Sequence, residues 1–305
     1  MKILIIGANG QLGRSLRQSG PVQINGEYIQ IINLKKTEFD LLDPTRCKRC
    51  IMELKPDWVI NSAAYTAVDE SEDKPDLAMA INCYGPRAVA EALLETGGKL
   101  LQISTDFVFD GKKNIAYLPE DNTNPICAYG KSKSEAEKVL KKILEPTGQI
   151  KIIRTSWLIG PVGNNFASTM LRLHKEKEMI NVVCDQIGCC TSTINLALIC
   201  WKLIEKSEVV TNIPTILHWS DAGVTSWYDI AVAIGEIAEE LLILKKAATI
   251  NPITSSEYPT KAIRPTFSLL NYSSTSKLFG IISRPWRESL KEIISLMAIK
   301  KFNYD

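Results

Sequence analysis

The sequence predicts an α/β protein: a doubly wound parallel sheet of the Rossmann type joined to a smaller α/β lobe. Three observations carry this. Short apolar strands alternate with helical periods through the first half, a glycine-rich turn links the first strand to the first helix, and the rhythm loosens after about Thr155. Strands buried on both faces by crossover helices read as near-continuous apolar runs, and such crossovers are right-handed. In order, Ile3–Ile6 is a strand, Gln11–Ser19 a helix, Tyr28–Leu34 a strand, Pro44–Leu54 a helix and Trp58–Asn61 a strand. Pro75–Thr96 follows as one long helix, then strand Lys99–Ser104, helix Ala128–Leu144 and strand Ile150–Arg154. Beyond Gly160-Pro161-Val162-Gly163, helices are expected at Asn165–Lys177, Thr193–Lys206 and Trp227–Leu244. Pro252, Pro259, Pro265 and Pro285 predict loops and short elements in the tail. With 305 residues, two lobes are expected: 1–155 with a returning segment near 187–219, and 156–186 with 220–305.

Composition narrows the function classes. The chain is 45% hydrophobic and 23% charged, and Lys plus Arg outnumber Asp plus Glu only 36 to 34. A net charge of +2 gives no electrostatic reason for a nucleic-acid or membrane-surface partner. No apolar run reaches the roughly 18–20 residues of a membrane span, and the apolar opening before Gly7 is too short for a signal peptide, so a cytoplasmic chain is expected. Eight cysteines without framework spacing read as thiols. Cys47 and Cys50 form a lone pair on a helix, Cys189 and Cys190 are adjacent, and His174 and His218 are the only histidines, so no metal site is expected.

Gly7-Ala8-Asn9-Gly10-Gln11-Leu12-Gly13 lies between the first strand and the first helix. There Gly7 permits the turn off the strand, Gly10 lets backbone approach a pyrophosphate, and Gly13 lets the helix pack against the sheet. The helix N-terminus presents free N–H groups to phosphates. The second strand ends Asn33-Leu34-Lys35-Lys36, with two lysines where an acid would hold a ribose hydroxyl. Lys35 and Lys36 favour a 2′-phosphate, hence NADPH, with NADH as the alternative donor. Small residues in Asn61-Ser62-Ala63-Ala64-Tyr65 leave room for a cofactor across the sheet edge.

Tyr129-Gly130-Lys131-Ser132-Lys133 is the strongest chemical feature. Tyr129 and Lys133 share one helical face, and an ammonium beside a phenol is expected to lower its proton affinity. About 25 residues earlier, Ser104-Thr105-Asp106 ends the fourth strand, where open α/β sheets bind ligands. Thr105 would polarise a carbonyl, Tyr129 would exchange a proton with its oxygen, and Lys133 would assist and bond the nicotinamide ribose.

The three-residue glycine offsets and this Thr–Tyr–Lys set resemble the extended short-chain dehydrogenase/reductase superfamily. Further segments are similar to the dTDP-4-dehydrorhamnose reductase family: Ala63-Ala64-Tyr65-Thr66-Ala67-Val68-Asp69, Ser104 to Gly111, Arg154-Thr155-Ser156-Trp157, Asn164-Asn165-Phe166, Asp185-Gln186-Ile187-Gly188 and Arg264-Pro265. The resemblance implies NADPH-dependent reduction of the C4 ketone of a dTDP-4-keto sugar in polysaccharide biosynthesis. It places Asn9, Gln11, Leu12, Ala63, Ala64, Tyr65 and Ile103 against the cofactor, with Asp40 and Leu41 at its adenine. It puts Thr66, Val68, Thr105, Asp106 and Trp157 against the sugar nucleotide. Trp157 offers a flat apolar face, and Arg264 could hold a diphosphate through paired donors. The chain departs from the family's pattern at Cys190, which replaces a proline, at Ile159, and in the helix after Tyr129. Some members dimerise around Mg2+ held by an acid where Ser15 stands here, so no such bridge is expected and the chain is read as a monomer or homodimer.

Three rivals share much of this. A dehydratase would carry Asp-Glu where this chain has Asp106-Phe107, whereas an epimerase shares the Thr–Tyr–Lys set. A non-catalytic NADP-binding regulatory subunit of methionine adenosyltransferase would keep the fold without turnover; the Arg154–Trp157 and Asp185-Gln186 segments favour the enzyme.

Overall fold

The computed structural model describes residues 1–302. Its main elements are β1 (Lys2–Ile6), α1 (Gln11–Gln18), β2 (Gln30–Asn33), α2 (Pro44–Leu54), β3 (Trp58–Asn61), α3 (Val68–Asp73) and α4 (residues 75–96). Then come β4 (Lys99–Thr105), α5 (Ala128–Leu144), β5 (Ile150–Thr155), α6 (Phe166–Glu176), β6 (Met179–Val183), α7 (Thr193–Ser207) and β7 (Ile216–His218). The chain closes with α8 (Trp227–Glu240), β8 (Thr249–Ile253), α9 (Ser273–Phe279) and α10 (Trp286–Phe302). Among the described residues no helix is long and apolar enough to cross a membrane.

Six strands form one sheet in the order β7-β5-β4-β3-β1-β2, and every pairing is parallel. Successive side chains of a strand point to opposite faces. Ile3 and Ile5 of β1 therefore enter a core with Leu12 and Leu16 of α1 and Leu196, Ile199 and Leu203 of α7. Leu4 and Ile6 enter a second core with α2, α4 and α5. The winding reverses between β2 and β3, so a crevice opens beyond the carboxyl ends of β1 and β3.

A third core lies beyond the sheet. The short parallel pair β6–β8 contributes Ile180 and Val182, and α6, α8 and α10 pack around it. β7 and α7 lie later in the sequence than α6, yet return to the main sheet and its first core.

Four elements differ from expectation. The second strand is shorter because Asn25 (φ 49°) and Gly26 (φ 83°) close a hairpin that takes up Tyr28. Positive φ at both central residues matches the two-residue turn that suits strand twist. The helix over 75–96 contains a π-turn at Ala80–Tyr84. The helix begun at Trp227 stops at Glu240, and Leu242 takes a φ of 58°. The tail carries a long helix, Trp286–Phe302, because its prolines all precede it, while Leu290, Ile293, Ile294 and Met297 supply a helical apolar stripe.

Candidate active site

Two adjoining cavities occupy the crevice. The larger, about 710 Å³, runs from the glycine loop past the ends of β3 and β4 to the third core. The smaller, about 310 Å³, lies between the end of β1 and the Leu34–Leu41 segment. Gly7, Asn9, Gly10, Ala63 and Ala64 line both, so the two are halves of one track. These volumes suit small-molecule ligands.

The glycine loop is shaped by packing. A Cβ on Gly13 would fall 2.1 Å from the Gly7 carbonyl oxygen, so only glycine lets α1 sit this close to the strand it follows. Gly13 lines neither cavity; its place is structural. Gly10 is the N-cap of α1 and offers no side chain to its N–H groups. Gln11 and Leu12 line the larger cavity, while Asp40, Leu41 and Tyr65 line the smaller. The lysine beside the smaller cavity is Lys36 rather than Lys35. Lys35 begins a turn, its backbone N–H donating to Glu38 Oε2 at 2.7 Å, which carries it off the cavity wall.

Thr105, Tyr129 and Lys133 meet at the larger cavity, with Ile103 beneath them. Thr105 ends β4, and Tyr129 and Lys133 lie one turn apart on α5. A Cβ on Gly130 would fall 2.2 Å from the Phe107 carbonyl oxygen, so glycine there brings the start of α5 against the end of β4. Phe107 meets the Tyr129 ring edge-on at 5.7 Å. The Lys133 ammonium donates to the Ile103 carbonyl at 2.7 Å and is buried.

The electrostatics correct one expectation. Burial pushes the Tyr129 phenol well above its ordinary value, and the Asp106 charge adds to that rise, while the Thr105 hydroxyl works against it. Lys133 does not offset this: burial lowers its own pKa to about 8. The solvent-poor setting that penalises a phenolate also penalises an ammonium. The resting phenol is protonated and is a donor.

Asp106 is buried, and burial raises its carboxyl to about 6. Its Oδ1 accepts from Thr105 Oγ1 at 3.0 Å. Among the described residues its Oδ2 has no partner at hydrogen-bond geometry, and the nearby Ser268 hydroxyl only partly offsets the burial of the carboxylate. Thr66, Val68, Trp157 and Arg264 also line the larger cavity. Arg264 Nη2 donates to Asp69 Oδ2 at 2.8 Å. Trp157 holds a φ of 45°, a conformation bulky residues rarely adopt, and stacks on Trp227 at 4.1 Å and 17°. Ser156 Oγ, donating to the Cys189 carbonyl at 2.6 Å, anchors that turn.

Sequence reasoning missed several residues here. Trp227 lines the cavity from the start of α8, marked beforehand only by the capping pattern Ser226…Asp229. Asn82, in the π-turn, accepts the Tyr65 N–H at 2.8 Å and donates to Ser132 Oγ at 2.9 Å, joining the turn after β3 to α5. Nothing local in the sequence distinguishes it. Ser15, in the position of an acid in some relatives, is buried and donates to Thr193 Oγ1 at 2.8 Å. All eight cysteines are free thiols.

Comparison with known proteins agrees with this geometry. The family model described as the RmlD substrate binding domain matches residues 1–299. A dTDP-4-dehydrorhamnose reductase of Aggregatibacter actinomycetemcomitans is 39% identical over 293 residues, 96% of this chain and 98% of that one. The crystal structure of a dTDP-4-dehydrorhamnose reductase from Clostridium acetobutylicum superposes with a TM-score of 0.87 at 39% identity, covering 98% of this chain and all of that one. Another, from Bacillus anthracis in complex with NADP, gives 0.84 at 35% identity over 96% of this chain and 98% of that one. With a family match over residues 1–299 and relatives above one-third identity over nearly the whole chain, this chain belongs to the dTDP-4-dehydrorhamnose reductase family.

Proposed function

We infer that this chain reduces the C4 ketone of dTDP-4-dehydro-β-L-rhamnose to give dTDP-β-L-rhamnose, with NADPH as reductant. The meeting of Thr105, a protonated Tyr129 and Lys133 at the sheet's carboxyl edge carries the reading. The uncapped start of α1, the small Ala63 and Ala64, and Lys36 fit a dinucleotide phosphate along the two cavities. When bound, the reduced nicotinamide supplies the hydride. Tyr129 gives the proton to the C4 oxygen, and Thr105, turning its one hydroxyl proton from Asp106 Oδ1 to the substrate, donates to the same oxygen and holds it in line. Lys133 keeps positive charge near the phenolate left behind, favouring that charged form in the transition state. Asp106 Oδ2, without a partner at hydrogen-bond geometry among the described residues, accepts from a sugar hydroxyl, since a buried acceptor left unmade is costly. Arg264, steadied by Asp69, meets the diphosphate with its remaining donors. The stacked Trp157 and Trp227 form an apolar wall of the sugar-nucleotide end. In this reading residues 156–186 and 220–302 form the sugar-nucleotide lobe, except the stretch 272–281, whose Tyr272, Leu278, Phe279 and Ile281 pack on the first core.

The test is NADPH consumption with dTDP-4-dehydrorhamnose supplied. Turnover of that sugar supports the reading; turnover only of another nucleotide sugar defeats it. Lys36→Ala should raise KM for NADPH at least about tenfold, the loss of one charge-assisted contact, with little change for NADH. Equal changes for both would show that Lys36 does not read the 2′-phosphate.

A pH dependence follows from Lys133. The protonated form is needed and its pKa in the resting protein lies near 8, so kcat/KM for NADPH should be full below that pH and fall above it. A profile flat to pH 9.5 would exclude this role for Lys133.

A further inference from the structure

We propose that Gln11 is a positioning residue that couples cofactor binding to the sugar end of the crevice, an inference that rests on the reductase reading above. Gln11 is the first residue of α1, so its backbone belongs to the turn that meets the cofactor's phosphates. Its side chain reaches out of that turn and across the crevice. Oε1 accepts from the Gly160 N–H at 3.1 Å and from Asn165 Nδ2 at 2.8 Å. Both partners are donors, which fixes the acceptor end of the amide.

Asn165 is a junction. Its Nδ2 also donates to the Gly160 carbonyl at 2.8 Å, and its Oδ1 caps α6 by accepting the Ser168 N–H at 3.0 Å. The next residue, Phe166, packs on Trp227 at 4.7 Å, and Trp227 stacks on Trp157. One hydrogen-bonded and packed path therefore runs from the glycine loop to the aromatic wall. It passes Val162, Gly163 and Asn164, which line the same cavity. A bound phosphate that fixes the first turn of α1 also fixes the origin of Gln11. The loop and wall are then ordered before the sugar nucleotide arrives, and the second ligand loses less freedom on binding.

The coupling is reciprocal and is read as an affinity ratio. The measurement is the Kd of dTDP, by titration calorimetry, with and without saturating NADP+. The parent protein should bind dTDP at least about fivefold more tightly when NADP+ is present, the lower end of typical coupling. Asn165→Ser keeps a good cap for α6 but cannot reach Gln11. It should bind NADP+ alone as the parent does and show a ratio near one. Gln11→Met, which keeps the volume and removes the acceptor, tests the same link from the other side and should also lose the ratio. A parent ratio near one, or parent-like ratios in both variants, would overturn the proposal, as would loss of both affinities with the ratio kept, the mark of a merely structural residue. If the parent binds neither dTDP nor NADP+, the reading of the function fails, not only the coupling.

Discussion

Tyr129→Phe should lower kcat by about 100- to 10,000-fold while leaving NADPH affinity within a factor of about two. The substitution removes one oxygen from a ring that keeps its edge contact with Phe107, so the site's shape persists. What is lost is the proton donor. Burial and the nearby Asp106 hold the phenol protonated in the resting protein, which suits donation to an oxygen that gains charge as hydride arrives. Stopped-flow measurement of the hydride step, with cofactor affinity measured separately, checks both halves. An unchanged kcat would remove Tyr129 from the chemistry; equal loss of cofactor affinity would make it a binding residue.

Arg154→Met should destabilise the fold by about 3–5 kcal/mol, the usual consequence of stripping one partner from a buried ion pair. Arg154 and Glu137 are both almost fully buried and meet through two guanidinium nitrogens, Nη2 to Oε2 at 2.7 Å and Nε to Oε1 at 3.0 Å. Ser104 Oγ adds a 2.5 Å bond to Glu137 Oε1, and Arg154 Nη1 donates to the Pro119 carbonyl at 3.1 Å. The guanidinium also lies 5.1 Å from the centre of the Phe109 ring. Without Arg154, the Glu137 carboxylate would stay buried with one hydroxyl donor. Urea unfolding gives the free energy. Solvent-exposed ion pairs in general contribute at most about 1 kcal/mol, so a loss that small would show that the buried pair is no stronger than a surface one. This network binds α5 to β4 and β5 next to Thr105 and Tyr129, so the meeting of those two side chains depends on it.

Much of this molecule was legible in its sequence, for reasons that can be named. A buried strand such as Trp58–Asn61 or a helix such as Ala128–Leu144 is specified by side-chain period, a property of consecutive residues. The Thr105, Tyr129 and Lys133 set was legible because two members share a helix turn and the third ends a strand of a parallel sheet, where such sheets bind ligands. The tail helix was misread although its signal was present: the stripe Leu290, Ile293, Ile294, Met297 was outweighed by prolines that all stand before it.

What only tertiary structure decided involves partners distant in sequence and the removal of water. Gln11 and Asn165 meet across 154 positions, and no local pattern announces that contact. The choice of Lys36 over Lys35 at the cavity came from a single turn of backbone after β2. The direction of the Tyr129 shift was misjudged from sequence because spacing shows that a cation is near but not how far the phenol is desolvated. Periodicity and motif spacing are written along the chain, whereas burial depends on everything that folds around a group, and here burial sets the charge states on which the chemistry depends.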